Sequence, residues 1–291
     1  RSMNILLTGA TGFIGSYLLK ALIKKHHNVT IIKRKVSNMR RVQEVLDKVQ
    51  VYDIDKINIE KIFDENKFDA VIHCAATYIR DTETFFKSFS ANVFFPMQIL
   101  ENAARTKVKK FINTQTSLPL IKGSPTYNYV FSKKVFADSA VAYSDNIDFI
   151  NITLGYVFGP YEDKIKVLPF VIDSCIKNVD EINLTSCKQK RDFIYIDDVI
   201  EAYLKILKIK KGQGNNFEAG LGKAVALKEV VINIKKVTHS KTKLNFGALL
   251  QRLGEPKEIK SNNKTLLALG WKPKFSIERG IKNIIKREYK K

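Results

Sequence analysis

Residues 3 to 17 read Met3-Asn-Ile-Leu-Leu-Thr-Gly-Ala-Thr-Gly-Phe-Ile-Gly-Ser-Tyr17. The apolar run Ile5, Leu6, Leu7 leads into Gly9, Gly12 and Gly15, then into an amphipathic stretch carrying Leu18, Leu19, Leu22 and Ile23. The pattern predicts strand, tight glycine turn, helix. Glycines in such a turn let the backbone come close to a pyrophosphate, which then sits on the N–H groups and positive dipole end of the helix. A glycine triplet alone marks only a turn. Between a strand and a helix it predicts a dinucleotide site.

Working outward, Asn28 to Ile32 reads as a second strand ending at Lys33-Arg34-Lys35. In NAD-preferring sites an acid here accepts hydrogen bonds from the adenosine ribose. Three cations suit a 2′-phosphate instead, so NADPH is expected over NADH. The alternative is that they share a general basic excess, and only Arg34 has the planar fork suited to phosphate. Val42 to Leu46 reads as a short helix, Val49 to Ile54 as a third strand and Ile57 to Phe63 as a further helix. Asp53 and Ile54, closing that strand, are placed to flank an adenine. Asp69 to Ala76 is a fourth strand closed by the small residues Cys74, Ala75 and Ala76, which leave room for a ligand at the strand's C-terminal end. His73 reads as a packed residue within it. Thr82 to Thr106 reads as one long amphipathic helix with Asn92 in its middle, and Phe111 to Ser117 as a fifth strand ending in hydroxyls. Strands alternating with helices at this spacing predict an α/β fold with a doubly wound parallel sheet.

Composition sets bounds. The 291 residues suffice for one large core or two coupled lobes, and 45% hydrophobic with 27% charged residues is ordinary for a soluble globular protein. No apolar run approaches the roughly 18 residues of a membrane span, and no signal peptide is visible. Arg1-Ser2 ahead of Met3 reads as an expression remnant. Cys74, Cys175 and Cys187 are odd in number and widely spaced, which predicts neither a disulfide framework nor a metal site and fits a reducing cytoplasm. The net charge of +21 is spread over every segment without a block of five basic residues. It therefore argues for no nucleic-acid or membrane partner, while helping to gather an anionic substrate.

The chemistry is carried by residues 125 to 138, Pro-Thr-Tyr-Asn-Tyr-Val-Phe-Ser-Lys-Lys-Val-Phe-Ala-Asp. Tyr129 and Lys133 are four apart, so on a helix they share a face and can converge on one ligand. Tyr127 has Phe131 at the matching offset, and Lys134 lies about 100° round the helix from Lys133. A phenol has a pKa of about 10. A nearby ammonium favours the phenolate, so Lys133 is expected to bring Tyr129 toward useful acid–base behaviour at neutral pH.

Thr8-Gly-Ala-Thr-Gly-Phe-Ile-Gly15, Tyr129-Val-Phe-Ser-Lys133, Gly159-Pro160, Arg191-Asp-Phe-Ile-Tyr-Ile-Asp-Asp198 and Leu269-Gly-Trp-Lys-Pro273 together resemble the extended short-chain dehydrogenase/reductases, the nucleotide-sugar epimerase/dehydratase group. The resemblance covers nearly the whole chain. It implies a Rossmann domain over residues 3–165, completed by about 190–215, and a smaller α/β lobe for the nucleotide sugar over 166–189 and 216–291. It further implies a homodimer through a four-helix bundle and a catalytic triad. In the triad Tyr129 is the acid/base, Lys133 holds the nicotinamide ribose and tunes Tyr129, and Thr116 binds the substrate oxygen, with Ser117 in reserve beside the substrate. The cofactor set it implies is Gly9, Thr11, Gly12, Phe13, Ile14, Arg34, Asp53, Ile54, Cys74, Ala75, Ala76 and Asn92, with Tyr129 and Lys133. Arg191 and Arg252 are placed near the substrate's diphosphate, where guanidinium forks pair with phosphate oxygens. The alternative for each is a surface arginine paired with Asp192 or Glu255.

Departures narrow the expected reaction. The 4,6-dehydratases carry an Asp-Glu pair after the catalytic Thr, whereas Ser117-Leu118 follow here. Epimerases of the UDP-galactose type have a Val-Tyr-Gly after the hydroxyl and a longer segment before the Tyr. The arginine often found before Gly-Pro is replaced in Thr153-Leu-Gly-Tyr-Val-Phe158. The short loop, with Phe111-Ile-Asn-Thr-Gln-Thr116 and Asn245-Phe-Gly-Ala-Leu-Leu-Gln-Arg252, resembles the abequose- and paratose-making 4-keto-sugar reductases of O-antigen (lipopolysaccharide) synthesis. The resemblance thus implies an NADPH-dependent 4-ketoreductase acting on a nucleoside-diphosphate deoxysugar. A 4-epimerase with tightly bound NAD, or a non-catalytic NADP-binding regulator, is the alternative. In the C-terminal part, Val167 to Ile176 reads as a helix, Phe193 to Ile196 as a strand, Val199 to Leu207 as a helix, Gly212 to Asn216 as a turn before Phe217 to Ala219, Trp271 as a structural corner and Ile277 to Lys291 as a solvated helix.

Overall fold

The computed structural model describes residues 2–78, 84–211 and 215–289. The expected helix start at Thr82, residues 212–214 of the expected turn, and Arg1, Lys290 and Lys291 lie outside the described residues. Two compact units are present: Arg1–Thr153 with Ile200–Phe217, and Leu154–Val199 with Glu218–Lys291.

The first unit runs β1 (Asn4–Thr8), α1 (Phe13–Lys24), β2 (Asn28–Lys33), β3 (Gln50–Asp53), α2 (Ile59–Glu65), β4 (Ala70–His73), α3 (Phe85–Phe89), α4 (Phe95–Arg105), β5 (Lys110–Thr116), α5 (Tyr127–Ser139) and β6 (Asp148–Leu154). It is completed from the helix α6 (Ile196–Leu207) and the strand β7 (Asn216–Ala219). The strands form one seven-stranded sheet in the order β7-β6-β5-β4-β1-β2-β3. β1 pairs in parallel with both β2 and β4, so the order reverses beside it. That is the switch point at which open α/β sheets bind ligands. Ile5, Leu6, Leu7, Val71, Ile72, Phe111 and Ile112 are fully buried. Their runs are continuously apolar rather than alternating, because both faces of a doubly wound sheet are covered. Each such side chain contributes roughly 1.5–3 kcal/mol.

Two helices depart from expectation. Residues 43–48 form a 3-10 helix rather than an α-helix, a short run with no side-chain cap at Val42. The long helix is broken into α3, a π turn over Ser90–Phe94, and α4. Pro96 opens α4 and has no N–H for the carbonyl of Asn92 four residues back, so the ladder widens at that point.

The second unit carries helices Val167–Ile176, Leu227–Thr238 and Ile277–Glu288 and three strand pairs. Tyr156–Phe158 lies parallel to Phe193–Tyr195, Glu181–Leu184 parallel to Lys243–Phe246, and Lys190–Arg191 antiparallel to Val225–Ala226. The strand expected to reach Ile196 ends at Tyr195. Asp197 and Asp198 in the first turn of α6 favour an earlier helix start through the dipole. Trp271 is buried and its indole N–H donates to the Asp198 carbonyl at 3.0 Å, a structural corner as expected.

Candidate functional site

The glycine turn is closed tightly against the neighbouring strand. Gly12 N donates to Gly9 O at 3.0 Å. Gly9 has φ +71°, and a Cβ there would stand 2.5 Å from Ala75 N, while a Cβ on Gly15 would collide with the Gly9 carbonyl oxygen. The first turn of α1 has Gly12 as its cap, no side-chain cap bond and no acid. Its amides around Phe13 and Ile14 are therefore free for an anion, and the missing Cβ atoms leave the backbone bare. These residues fit a dinucleotide pyrophosphate, with Thr11 half-buried in the turn.

Thr8 locks this turn to β4. Its hydroxyl accepts from Ala75 N at 3.3 Å and lies 2.7 Å from His73 Nδ1. His73 is buried among the rings of Phe95, Phe111 and Phe136, and burial, with Lys133 nearby, holds its pKa well below the usual imidazole value. It is a neutral packing residue. Cys74 is half-buried and Ala76 exposed beyond it.

The cation cluster after β2 is smaller than its sequence suggests. Lys33 Nζ pairs with Asp53 Oδ2 at 2.9 Å, and Asp53 Oδ1 accepts from Asp55 N at 3.1 Å. Lys33 is the main cause of Asp53's lowered pKa. Lys33 is thus neutralised across the β2/β3 register. Arg34 and Lys35 are exposed, and neither side chain has an ion-pair partner among the described residues.

Asn92 sits in the π turn and is buried. Its Oδ1 accepts from Thr77 N at 2.9 Å, and its Nδ2 donates to Thr77 O at 3.2 Å and to Ser132 Oγ at 3.1 Å. Both amide N–H groups are engaged by the chain itself, and Asn92 clamps the loop at Thr77 to α5.

Thr116 closes β5, and Tyr129 and Lys133 lie one turn apart near the start of α5. The Thr116 hydroxyl stands near enough to the Tyr129 phenol to favour its ionised form. Leu118 N donates to Thr116 Oγ1 at 3.2 Å, leaving the Thr116 proton for the phenol or a substrate oxygen. Gln115 joins the pair from behind: Oε1 accepts from Thr116 N at 2.9 Å and Nε2 donates to Lys133 O at 3.3 Å. The Tyr78 ring packs edge-on against Tyr129 at 5.0 Å. Burial, then Tyr78, pushes the Tyr129 phenol up to about 12, with Thr116 opposing, and burial pulls Lys133 down to about 8. Lys133 is not among the influences on Tyr129. The expected tuning of the phenol toward neutrality is therefore corrected: desolvation outweighs any help from the ammonium. Tyr127 stacks on Phe131 at 5.8 Å and takes no part. Ser117 is half-buried next along the chain.

In the second unit Arg191 is buried. Nη2 pairs with Glu255, and Nη1 donates to Lys190 O at 2.7 Å and Pro256 O at 2.9 Å. Its fork is already engaged by the chain itself. Arg252 is exposed, and its guanidinium has no ion-pair partner among the described residues.

Sequence reasoning missed Thr8, Thr114, Gln115 and Ser132. Thr8 closes β1 and Thr114 lies in the C-terminal half of β5, and that position was the available signal. Tyr203, which reads as one more apolar helix position, offered none.

Residues 5–220 match the NAD dependent epimerase/dehydratase family. The chain belongs to that family. It is an NAD(P)-dependent enzyme. Among curated relatives it is 37% identical to CDP-abequose synthase of Salmonella muenchen and 32% identical to that of Salmonella typhimurium, over 97% of each chain in both cases. Among solved structures, UDP-glucose 4-epimerase of Thermotoga maritima with UDP-glucose superposes with a TM-score of 0.85 over 98% of each chain at 21% identity, a likeness of fold.

Proposed function

We propose that the chain is an NADPH-dependent reductase of the 4-keto group of a nucleoside-diphosphate 4-keto-6-deoxy or 3,6-dideoxy sugar, serving cell-surface polysaccharide synthesis in the cytoplasm. The observation that carries it is the full-length similarity to two CDP-abequose synthases. Ser117-Leu118 in place of acids, and the Thr116 hydroxyl near the Tyr129 phenol, support it. The preference for NADPH is supported by the free side chains of Arg34 and Lys35, with Lys33 spent on Asp53.

Bound along the glycine turn and the ends of β1 and β4, a reduced nicotinamide would supply hydride. The chain's own residues supply the proton and its placement. As the carbonyl π pair moves onto oxygen, Tyr129 gives that oxygen its phenolic proton and Thr116 hydrogen-bonds it. A phenol near 12 is fully protonated at neutral pH and is ready as an acid. Lys133, charged below about 8, is assigned to the ribose. Arg252 is the guanidinium available for the diphosphate, while Arg191 holds Glu255.

Phe85, Phe86 and Phe94 on α3 and the following turn are 46%, 75% and 58% exposed, which supports pairing of two copies through these helices. Among the described residues no helix is long and apolar enough to cross a membrane.

The test is NADPH oxidation with a panel of CDP- and dTDP-4-keto-6-deoxy sugars, including the 3,6-dideoxy form. Consumption with one of them is expected. Interconversion of 4-hydroxy sugars without net consumption would point to an epimerase. Cofactor binding with neither activity would leave a regulator.

A further inference from the structure

Tyr78, beyond the end of β4, is 50% exposed, and its ring stands edge-on against Tyr129 with centroids 5.0 Å apart and planes at 67°. Exposure alone means little, since single aromatics on a surface are common. The way this ring is held is the informative part. The residue before it, Thr77, has both backbone groups fixed by buried Asn92, whose Oδ1 accepts from Thr77 N at 2.9 Å and whose Nδ2 donates to Thr77 O at 3.2 Å. The same Nδ2 donates to Ser132 Oγ at 3.1 Å, and Ser132 Oγ donates to Tyr129 O at 2.9 Å. An unbroken line of hydrogen bonds thus ties the backbone beside Tyr78 to the backbone of Tyr129. Burying an amide and a hydroxyl costs desolvation. What these two hold in common is the placement of one ring against the other.

Tyr78 therefore occupies one flank of the phenol. On the Thr116 side the chain continues as Ser117-Leu-Pro-Leu-Ile121, and Leu118 N donates to Thr116 Oγ1 at 3.2 Å. The hydroxyl of Ser117 is the polar side chain on that stretch, and Tyr78 offers a ring on the other. In a sugar whose C4 oxygen meets Thr116 and Tyr129, the groups nearest those flanks are C3 on one side of C4 and C5 with its C6 on the other.

We infer that Tyr78 is a specificity-determining residue: its ring walls one flank of Tyr129 and selects a sugar deoxygenated at the carbon lying there, C3 or C6. The inference rests on the reading of Thr116 and Tyr129 as the hydroxyls that meet the C4 oxygen. A methylene or methyl group against the ring gains apolar burial, whereas a hydroxyl in its place gives up water for a weaker partner. An apolar wall rejects one added hydroxyl by up to about 10²-fold. A ring that merely packed on Tyr129 would change stability or rate and treat the two kinds of sugar alike.

The test compares sugars. With NADP⁺ present, wild type, Tyr78→Phe and Tyr78→Ser are titrated calorimetrically with three CDP sugars in the alcohol form: a 3,6-dideoxyhexose, the 6-deoxyhexose that adds a hydroxyl at C3, and the 3-deoxyhexose that adds one at C6. In wild type one of the two added hydroxyls is expected to weaken binding by about 10- to 100-fold. Tyr78→Phe, which keeps the ring, should retain that penalty, and Tyr78→Ser should reduce it to about threefold or less. Should Tyr78→Ser not fold, Tyr78→Leu takes its place. Penalties at both positions that are the same in Tyr78→Ser as in wild type overturn the assignment, as does a wild type that binds all three sugars equally or none of them. A penalty that collapses in Tyr78→Ser, in an enzyme that consumes no NADPH with the matching keto sugars, would keep the role of Tyr78 and sink the reductase reading. Active reduction with the penalties unmoved would do the reverse.

Discussion

The segments Tyr129–Lys133 and Arg191–Asp198 are both short polar runs on which the family resemblance rests, and the molecule uses them in opposite ways. Among the described residues Tyr129 and Lys133 have no carboxylate partner. The Thr116 hydroxyl lies near the phenol, and Gln115 ties the backbones of Thr116 and Lys133 together. In the second segment Arg191, Asp192 and Asp198 are spent on the fold. Asp192 accepts from the backbone N–H groups of Leu221, Gly222 and Ser261 at 2.7, 2.9 and 3.1 Å, and Asp198 accepts from Lys274 and Phe275 at 2.8 and 2.9 Å. Arg191 closes on Glu255. A recurring polar motif is thus a site only where its side chains are left unspent; satisfied by backbone, it is scaffold.

That contrast is open to direct attack. The largest effect belongs to the reactive segment: Tyr129→Phe should lower kcat by about 10²–10⁴-fold, the loss of a general acid, without changing the melting temperature or cofactor affinity. Comparable turnover in that variant would remove the difference between the two segments. Next comes the stability of the second unit. Arg191→Ala leaves Glu255 as a half-buried unpaired charge, and about 3 kcal/mol should be lost in denaturant titration. Arg252→Ala, at an exposed unpaired residue, should stay within about 0.5 kcal/mol while raising KM for the nucleotide sugar. If both arginines behave alike, scaffold and site have not been told apart. Gly15→Ala should weaken NADPH binding by about tenfold or more in a fluorescence titration, since its Cβ collides with the Gly9 carbonyl. The smallest effect is in pH. Below about 8 Lys133 is charged and the rate is full; as pH rises through that value the proton leaves and kcat should fall, several-fold by one unit above. A limb that persists unchanged in Lys133→Met would belong to another group.

How much of this was legible without coordinates follows the same division. The parallel sheet, the glycine turn and the Tyr129/Lys133 pair are written in local spacing, and local spacing is what a chain displays; Thr116 came from the family resemblance. The break in the helix before α4 was visible only as Pro96 and was read through, because the pattern of apolar residues continues across it. The fates of Lys33, Arg191 and Asn92 depend on partners at positions 53, 255, 77 and 132, brought close by folding. No spacing within one segment announces such a partner. The same holds for the phenol: four-residue spacing promises an ammonium nearby, but burial, a property of the assembled unit, sets the Tyr129 proton.

The most direct test of the central claim follows the transferred hydrogen. With NADPH deuterated at the transferable position and a CDP-4-keto-3,6-dideoxy sugar, NMR of the product should show one deuterium at C4 for each cofactor consumed, formed far more slowly by Tyr129→Phe than by wild type. Product formed without deuterium at C4, or without net loss of NADPH, would contradict the reductase account.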